Sequence, residues 1–182
     1  LCKEYINYKE PLGYYKIANS ILKYIDEDTM LICIGTDKCI GDSFGPIVGS
    51  LLKQKKFPLP VFGTLNNPIH ALNIKNRLEE LKKAYPNKKI IGIDACLGEE
   101  QYIGSIAIRN HPIYPGKGVG KSLPEVGTAS IVGIVDVSEK NQLFSARNIR
   151  LNFIYNMAIF LCDALIHSYY LYSLQANKKI QA

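Results

Sequence analysis

The sequence predicts a single α/β domain in which a mostly parallel sheet carries helices on both faces. Three observations carry that prediction. Apolar runs at 31–35 (LICIG), 88–98 (KKIIGIDACLG) and 129–137 (ASIVGIVDV) read as strands buried on both sides. Segments of helical period alternate with them. The chain has 182 residues, 47% hydrophobic and 21% charged, enough for one sizeable core, and no linker, repeat or low-complexity tract divides residues 1–182.

The elements follow in order. Residues 14–27 form a helix with Ile17, Ile21, Leu22 and Ile25 on one face. The strand 31–35 ends at Gly35, and TDKCIGDSF is a loop. A helix follows from about Ser43 to Lys55, with Asp42 as its N-cap and Pro46 tolerated in the first turn. VFGTL (61–65) is a strand, and residues 70–85 form an amphipathic helix closed by Pro86. After the strand 88–98, the alternating YIGSIAIRN (102–110) reads as an edge strand. A long loop leads to the strand 129–137, and a helix from about Asn141 closes the chain.

The helix has one segment apolar enough to suggest a membrane, 151–174. Its Asn152, Asn156, Asp163 and His167 fall at steps of four, seven and four, on one stripe, which predicts a helix packed on a core and no membrane partner. The formal net charge is +6, but the lysines are dispersed in short pairs, so no nucleic-acid partner is expected. The cysteines, Cys2, Cys33, Cys39, Cys96 and Cys162, are odd in number and include no CxxC, which suggests neither a disulfide framework nor a zinc site. That usage fits a reducing cytoplasm, and LCKEYINYKE has no apolar signal core.

PGKGVGKSLP (115–124) imitates a phosphate-binding Walker A loop. The pattern needs a glycine five residues before Gly120, where Pro115 stands, and a helix immediately after, where Leu123 and Pro124 precede a strand. The alternating Gly116, Gly118 and Gly120 suit either a surface connection or a mobile wall of a site at the sheet's carboxyl edge.

Ligands of open α/β sheets bind outside the carboxyl ends of the strands. Asp42 and Asp94 fall there. One sits at a helix N-terminus, which favours its anion; the other closes an apolar strand, which favours its protonated form. One charged and one protonated acid around a water can hydrolyse an acyl bond. Taken singly, Asp42 also reads as a helix cap and Asp94 as a turn residue. Asp37, with Lys38, could line the site or lie on the surface; Asn66 and Asn67 could orient a substrate backbone or make a turn. Cys96 reads as a small buried thiol, with a nucleophile paired to His70 or His111 as the alternative, and Asp136 as a third candidate acid or a cap.

Four segments together resemble the superfamily of hydrogenase-maturation peptidases and the bacterial germination (spore) protease, including its small YyaC-type branch of sporulation proteins. They are ICIGTDKCIGDSFGP (32–46), FGTLNNPIHALN (62–73), IIGIDACLG (90–98) and YPGKGVGKSLPEVGTASIVGIVD (114–136). The resemblance implies a three-layer α/β sandwich of the phosphorylase/hydrolase-like kind. It implies that Asp42 and Asp94 are the acid pair and that the loop of Gly116, Gly118 and Gly120 lies beside the substrate; Asp37, Asn66, Asn67 and His70 are the further candidate substrate contacts. Near Pro124, where the maturation peptidases are expected to carry a nickel-sensing histidine, none stands, and no metal or organic cofactor is implied. The expected function is an aspartic-type endopeptidase of sporulation or germination, acting on a protein or peptide in the cytoplasm of the spore or forespore, with homo-oligomerisation left open. The alternatives are a non-catalytic protein that keeps the fold and binds a sporulation partner, and a metal-dependent maturation peptidase.

Overall fold

Short apolar strands set the architecture. In the computed structural model, which describes residues 5–116, 123–138 and 148–180, six strands form one sheet. They are β1 (Tyr5–Asn7), β2 (Thr29–Cys33), β3 (Val61–Phe62), β4 (Lys89–Gly98), β5 (Ser105–Arg109) and β6 (Ala129–Val137), in the order β1-β5-β6-β4-β2-β3. Four α-helices accompany them: α1 (Gly13–Leu22), α2 (Phe44–Gln54), α3 (Ile74–Ala84) and α4 (Leu151–Ile180).

The sheet is mixed, which corrects the mostly parallel expectation. β3, β2, β4 and β6 run parallel, whereas β5 is antiparallel to both β6 and β1. The physical reason lies in the connection after β4. It holds only a 3-10 turn at Glu100–Tyr102 and Gly104, too little chain for the crossover that a parallel return needs. Nor is β5 an edge strand. β1 pairs with it through Tyr5↔Ala107 and Asn7↔Ser105 and takes the edge itself.

Alternation along the strands sends side chains into two cores. Leu31 and Cys33 of β2 join Ile91, Ile93 and Ile131 in a cluster that takes in Ile17 and Ile21 of α1, Val48 and Leu52 of α2, and Leu161 and Leu165 of α4. Met30 and Ile32 join Ile90 in a second cluster with Ile74, Leu78 and Leu81 of α3. Burying each such aliphatic side chain stabilises the fold by roughly 1.5–3 kcal/mol before entropy is counted. In α4, Ile154, Met157, Ala158, Leu161 and Leu165 are buried, while Asp163 on the polar stripe is exposed and pairs with Lys55 at 2.8 Å.

Two helices are shorter than their periodicity predicts, because side chains compete for backbone groups. α1 stops at Leu22. Beyond it Asp26 and Thr29 close a turn, with the Asp26 amide donating to Thr29 Oγ1 and the Asp28 amide to Asp26 Oδ1. α3 starts at Ile74. Before it the His70 amide donates to Asn73 Oδ1, and Asn73 Nδ2 donates to the Pro68 carbonyl. The strand expected over 61–65 is limited to Val61–Phe62. The expected helix start at Asn141 lies outside the described residues; the helix is present from Leu151.

Candidate active site at the carboxyl edge of the sheet

Asp94 belongs to β4, where the two neighbouring strands end at different levels. Regular pairing with β2 stops at Cys33↔Ile93, while pairing with β6 continues to Gly98↔Val137 with a register shift between Cys96 and Leu97. Asp94 is therefore the first residue of β4 to stand beyond β2. Gly92 pairs with Ile32, so Asp94, two residues on, lies on the same sheet face as the α3-side core. Its side chain is half-buried, and Oδ1 accepts the Ala95 amide at 2.8 Å.

Asp42 reaches this edge from the other direction. It lies in a 3-10 turn, Ile40–Ser43, that follows β2 and leads into α2. The turn is tied to the strand end. The Thr36 amide donates to the Asp42 carbonyl at 3.1 Å, the Asp42 amide donates to the Cys39 carbonyl at 3.0 Å, and Ser43 Oγ donates to the Ile40 carbonyl at 2.6 Å. Phe44, fully buried, anchors the turn against β6, where Gly133 leaves room for its ring: a β-carbon there would lie 2.8 Å from Cε1. The structure corrects the capping expectation. Asp42 is inside the 3-10 turn, Ser43 is the N-cap of α2, and no side chain caps that helix.

The electrostatics couple the two acids. Burial pushes the Asp42 carboxyl up to about 6, with the Thr36 amide pulling the other way. Burial also raises Asp94 well above the ordinary carboxyl range; the charge of Asp42 raises it further, and the Ala95 amide opposes. Burial and the charge of Asp42 both favour the protonated form of Asp94. Chemically, such a pair can supply a base and an acid to one water at once.

The remaining candidates are more dispersed. Segment 64–70 runs beside the loop of Asp42: Ile69 bridges Ile34, and its carbonyl accepts the Gly35 amide at 2.8 Å. His70, next in sequence, is half-buried, and its Nδ1 accepts the Leu72 amide at 3.3 Å. Asn66 and Asn67 are exposed in a tight turn closed by two backbone bonds between Thr64 and Asn67. Asp37 is exposed on the loop between β2 and the 3-10 turn. Gly116 is the last residue described before 117–122, so Gly118 and Gly120 lie outside the described residues. The chain from Leu123 enters no helix: Val126 bridges Ile113, and β6 begins at Ala129, unlike a Walker A loop. Cys96 is half-buried on β4, two residues past Asp94. His111 is exposed, with Nδ1 at 2.9 Å from the Pro112 carbonyl. Among the described residues, no three His, Cys, Asp or Glu side chains gather as a metal site would require.

Sequence reasoning missed a groove of about 740 Å³ beside the turn that carries Asp42, between α2, the start of α4 and the 64–67 turn. Ile40 and Ser43, from that turn, are among its lining residues. The signal was present as apolar residues at exposed positions, but they come from segments far apart in the chain.

Comparison with known proteins matches residues 5–164 to the family described as "Protein of unknown function (DUF1256)". The chain is also similar to "Uncharacterized protein YyaC" of Bacillus subtilis (strain 168), 40% identical over 168 residues, which cover 90% of this chain and 82% of the relative.

Proposed function

The chain belongs to the DUF1256 family and is a YyaC-type protein, and from that premise we propose that it is an endopeptidase in which Asp42 and Asp94 hydrolyse a peptide bond. The observation that carries this reading is the coupling of the two acids at the sheet edge, with Asp42 titrating near 6 and its charge raising Asp94. That difference gives each acid a role. Asp42, ionised at neutral pH, takes a proton from water as the water oxygen bonds to the scissile carbonyl carbon. Asp94, still protonated, gives its proton to the departing amine nitrogen as the C–N bond breaks. Proton exchange with solvent then restores the singly protonated pair.

The four segments that resemble the germination protease and the hydrogenase-maturation peptidases support the same reading. They extend it to a three-layer, hydrolase-like sandwich, to a protein or peptide substrate, and to the cytoplasm of the developing or germinating spore. The groove beside the turn that carries Asp42 supports the non-catalytic alternative, a protein that binds a partner chain.

The test is incubation of wild type, Asp42→Asn and Asp94→Asn with lysate from developing spores, with new peptide N-termini identified by mass spectrometry. Cleavages made by wild type and missing with both variants are expected. Silence from all three folded proteins across a range of pH would remove the peptidase and leave the binding protein.

A further inference from the structure

Apolar side chains left in water line a groove beside the turn that carries Asp42. Ile40 is 42% exposed, Leu65 39%, Leu151 55% and Tyr155 44%, and all four line the 740 Å³ groove. Contiguous exposed apolar surface of this kind marks a binding surface more often than chance exposure does. Asp37 is the one charged residue among the described lining residues, and it is exposed. The groove shares an element with the candidate active site: Ile40 and Ser43, which line it, belong to the 3-10 turn that presents Asp42. Its volume exceeds that of a single side chain, so it suits a short stretch of polypeptide.

We infer that this groove is the recognition site for an extended polypeptide segment that places apolar side chains against Leu65, Leu151 and Tyr155 and a lysine or arginine against Asp37. The inference rests on the peptidase reading for its purpose, since the turn that carries Asp42 also supplies two of the groove's lining residues. Recognition itself needs no hydrolysis. Asn152 and Gln54, also in the lining, carry amides that can hydrogen-bond a peptide backbone.

The experiment measures binding without chemistry. Fluorescein-labelled octapeptides with a central Lys-Leu-Leu, Glu-Leu-Leu or Lys-Ser-Ser are titrated against the full chain and against Asp94→Asn. Lys-Leu-Leu is expected to bind about tenfold more tightly than either of the others, in both proteins. Leu151→Asp, at an exposed helix start that tolerates an acid, should remove about tenfold of that affinity, and Tyr155→Ser should do the same through a different side chain. Asp37→Lys should reverse the preference to Glu-Leu-Leu.

Equal affinity for the three peptides, or an order unchanged by Asp37→Lys and by both groove variants, would overturn the inference. So would concentration-dependent dimerisation abolished by Leu151→Asp without peptide preference, which would assign the groove to a second copy. The two readings fail separately. Cleavage that needs both acids but shows no groove preference sinks only the groove. Selective binding with no acid-dependent cleavage sinks only the peptidase.

Discussion

The α-carbon of Gly35 stands so close to the backbone of Asp42 that a β-carbon on it would lie 2.0 Å from the Asp42 carbonyl oxygen. Gly35 also holds φ +133°, a region that side-chain-bearing residues avoid. This contact presses the 3-10 turn onto the end of β2 and lets the Thr36 amide reach the Asp42 carbonyl. Backbone cannot move aside as a side chain can. Gly35→Ala is therefore expected to cost about 3 kcal/mol or more of stability and to shift Asp42 away from Asp94. Urea denaturation reads the first effect, and loss of acid-dependent cleavage reads the second. A variant as stable as wild type would show that the turn is not held this tightly.

The acid pair should make the fold less stable as pH rises. Both carboxyls have folded pKa values above those of an unfolded chain. The native state then binds more protons than the unfolded state, and stability falls with pH through that window. For Asp42 the window runs from the ordinary carboxyl range to about 6. Its loss is on the order of 1–3 kcal/mol, with the partial exposure of the side chain taken into account. The loss from Asp94 extends to higher pH. Asp94→Asn should accordingly gain stability over wild type, and the gain should grow between pH 5 and pH 8. Melting temperatures of the two proteins measured side by side cancel contributions such as Asp26, whose pKa burial raises but Lys89 and Thr29 together bring below the ordinary value, so that it acts in the opposite sense. A gain independent of pH would mean that Asp94 is not held protonated by its surroundings.

Catalysis should follow a bell-shaped pH profile. The acidic limb reports ionisation of Asp42 near 6, and the alkaline limb reports loss of the Asp94 proton. Because the acids are coupled, the two limbs belong to the pair. Single-turnover cleavage of a substrate identified from spore lysate measures the profile. Either Asp→Asn change should lower the rate at least roughly a hundredfold at every pH. A flat profile between pH 5 and 8 would argue for a different pair of groups.

The elements legible in the sequence are those whose own composition decides them. The run 129–137 is β6, and 88–98 differs from β4 by a single residue, because both strands are buried on both faces and read as unbroken apolar stretches. Asp94 stood out as an acid within such a stretch, and Asp42 as an acid close before a helix. What was hidden depends on partners. β1 has only Tyr5, Ile6 and Asn7, too few residues for a pattern, and its pairing with β5 supplies the missing information. The direction of β5 is set by the short connection at 99–104, not by its alternation. The groove draws on the first loop, α2, the 64–67 turn and α4, so no local window contains it. Ser43 displaces Asp42 as the N-cap because a 3-10 turn precedes the helix, a detail of backbone geometry that residue type does not specify.

The thiols offer a probe of the packing behind the site. Cys33 on β2 and Cys162 on α4 are both fully buried, and each has a raised pKa. Burial raises Cys33, with Cys162 adding to it. Burial pushes Cys162 up to about 11, Lys55 opposing and Asp163 adding. The thiolate is the reactive form, so both should resist alkylation while the fold holds. Cys39 and Cys96 are half-buried near the candidate acids and should react first. With iodoacetamide at pH 8 and site-by-site mass spectrometry, Cys33 and Cys162 should label roughly a hundredfold more slowly than Cys39. In urea at the unfolding midpoint the difference should disappear. If Cys162 labels as fast as Cys39 in the native protein, α4 does not stay packed on the sheet as described. The groove that depends on Leu151 and Tyr155 of the same helix would then lose one of its walls.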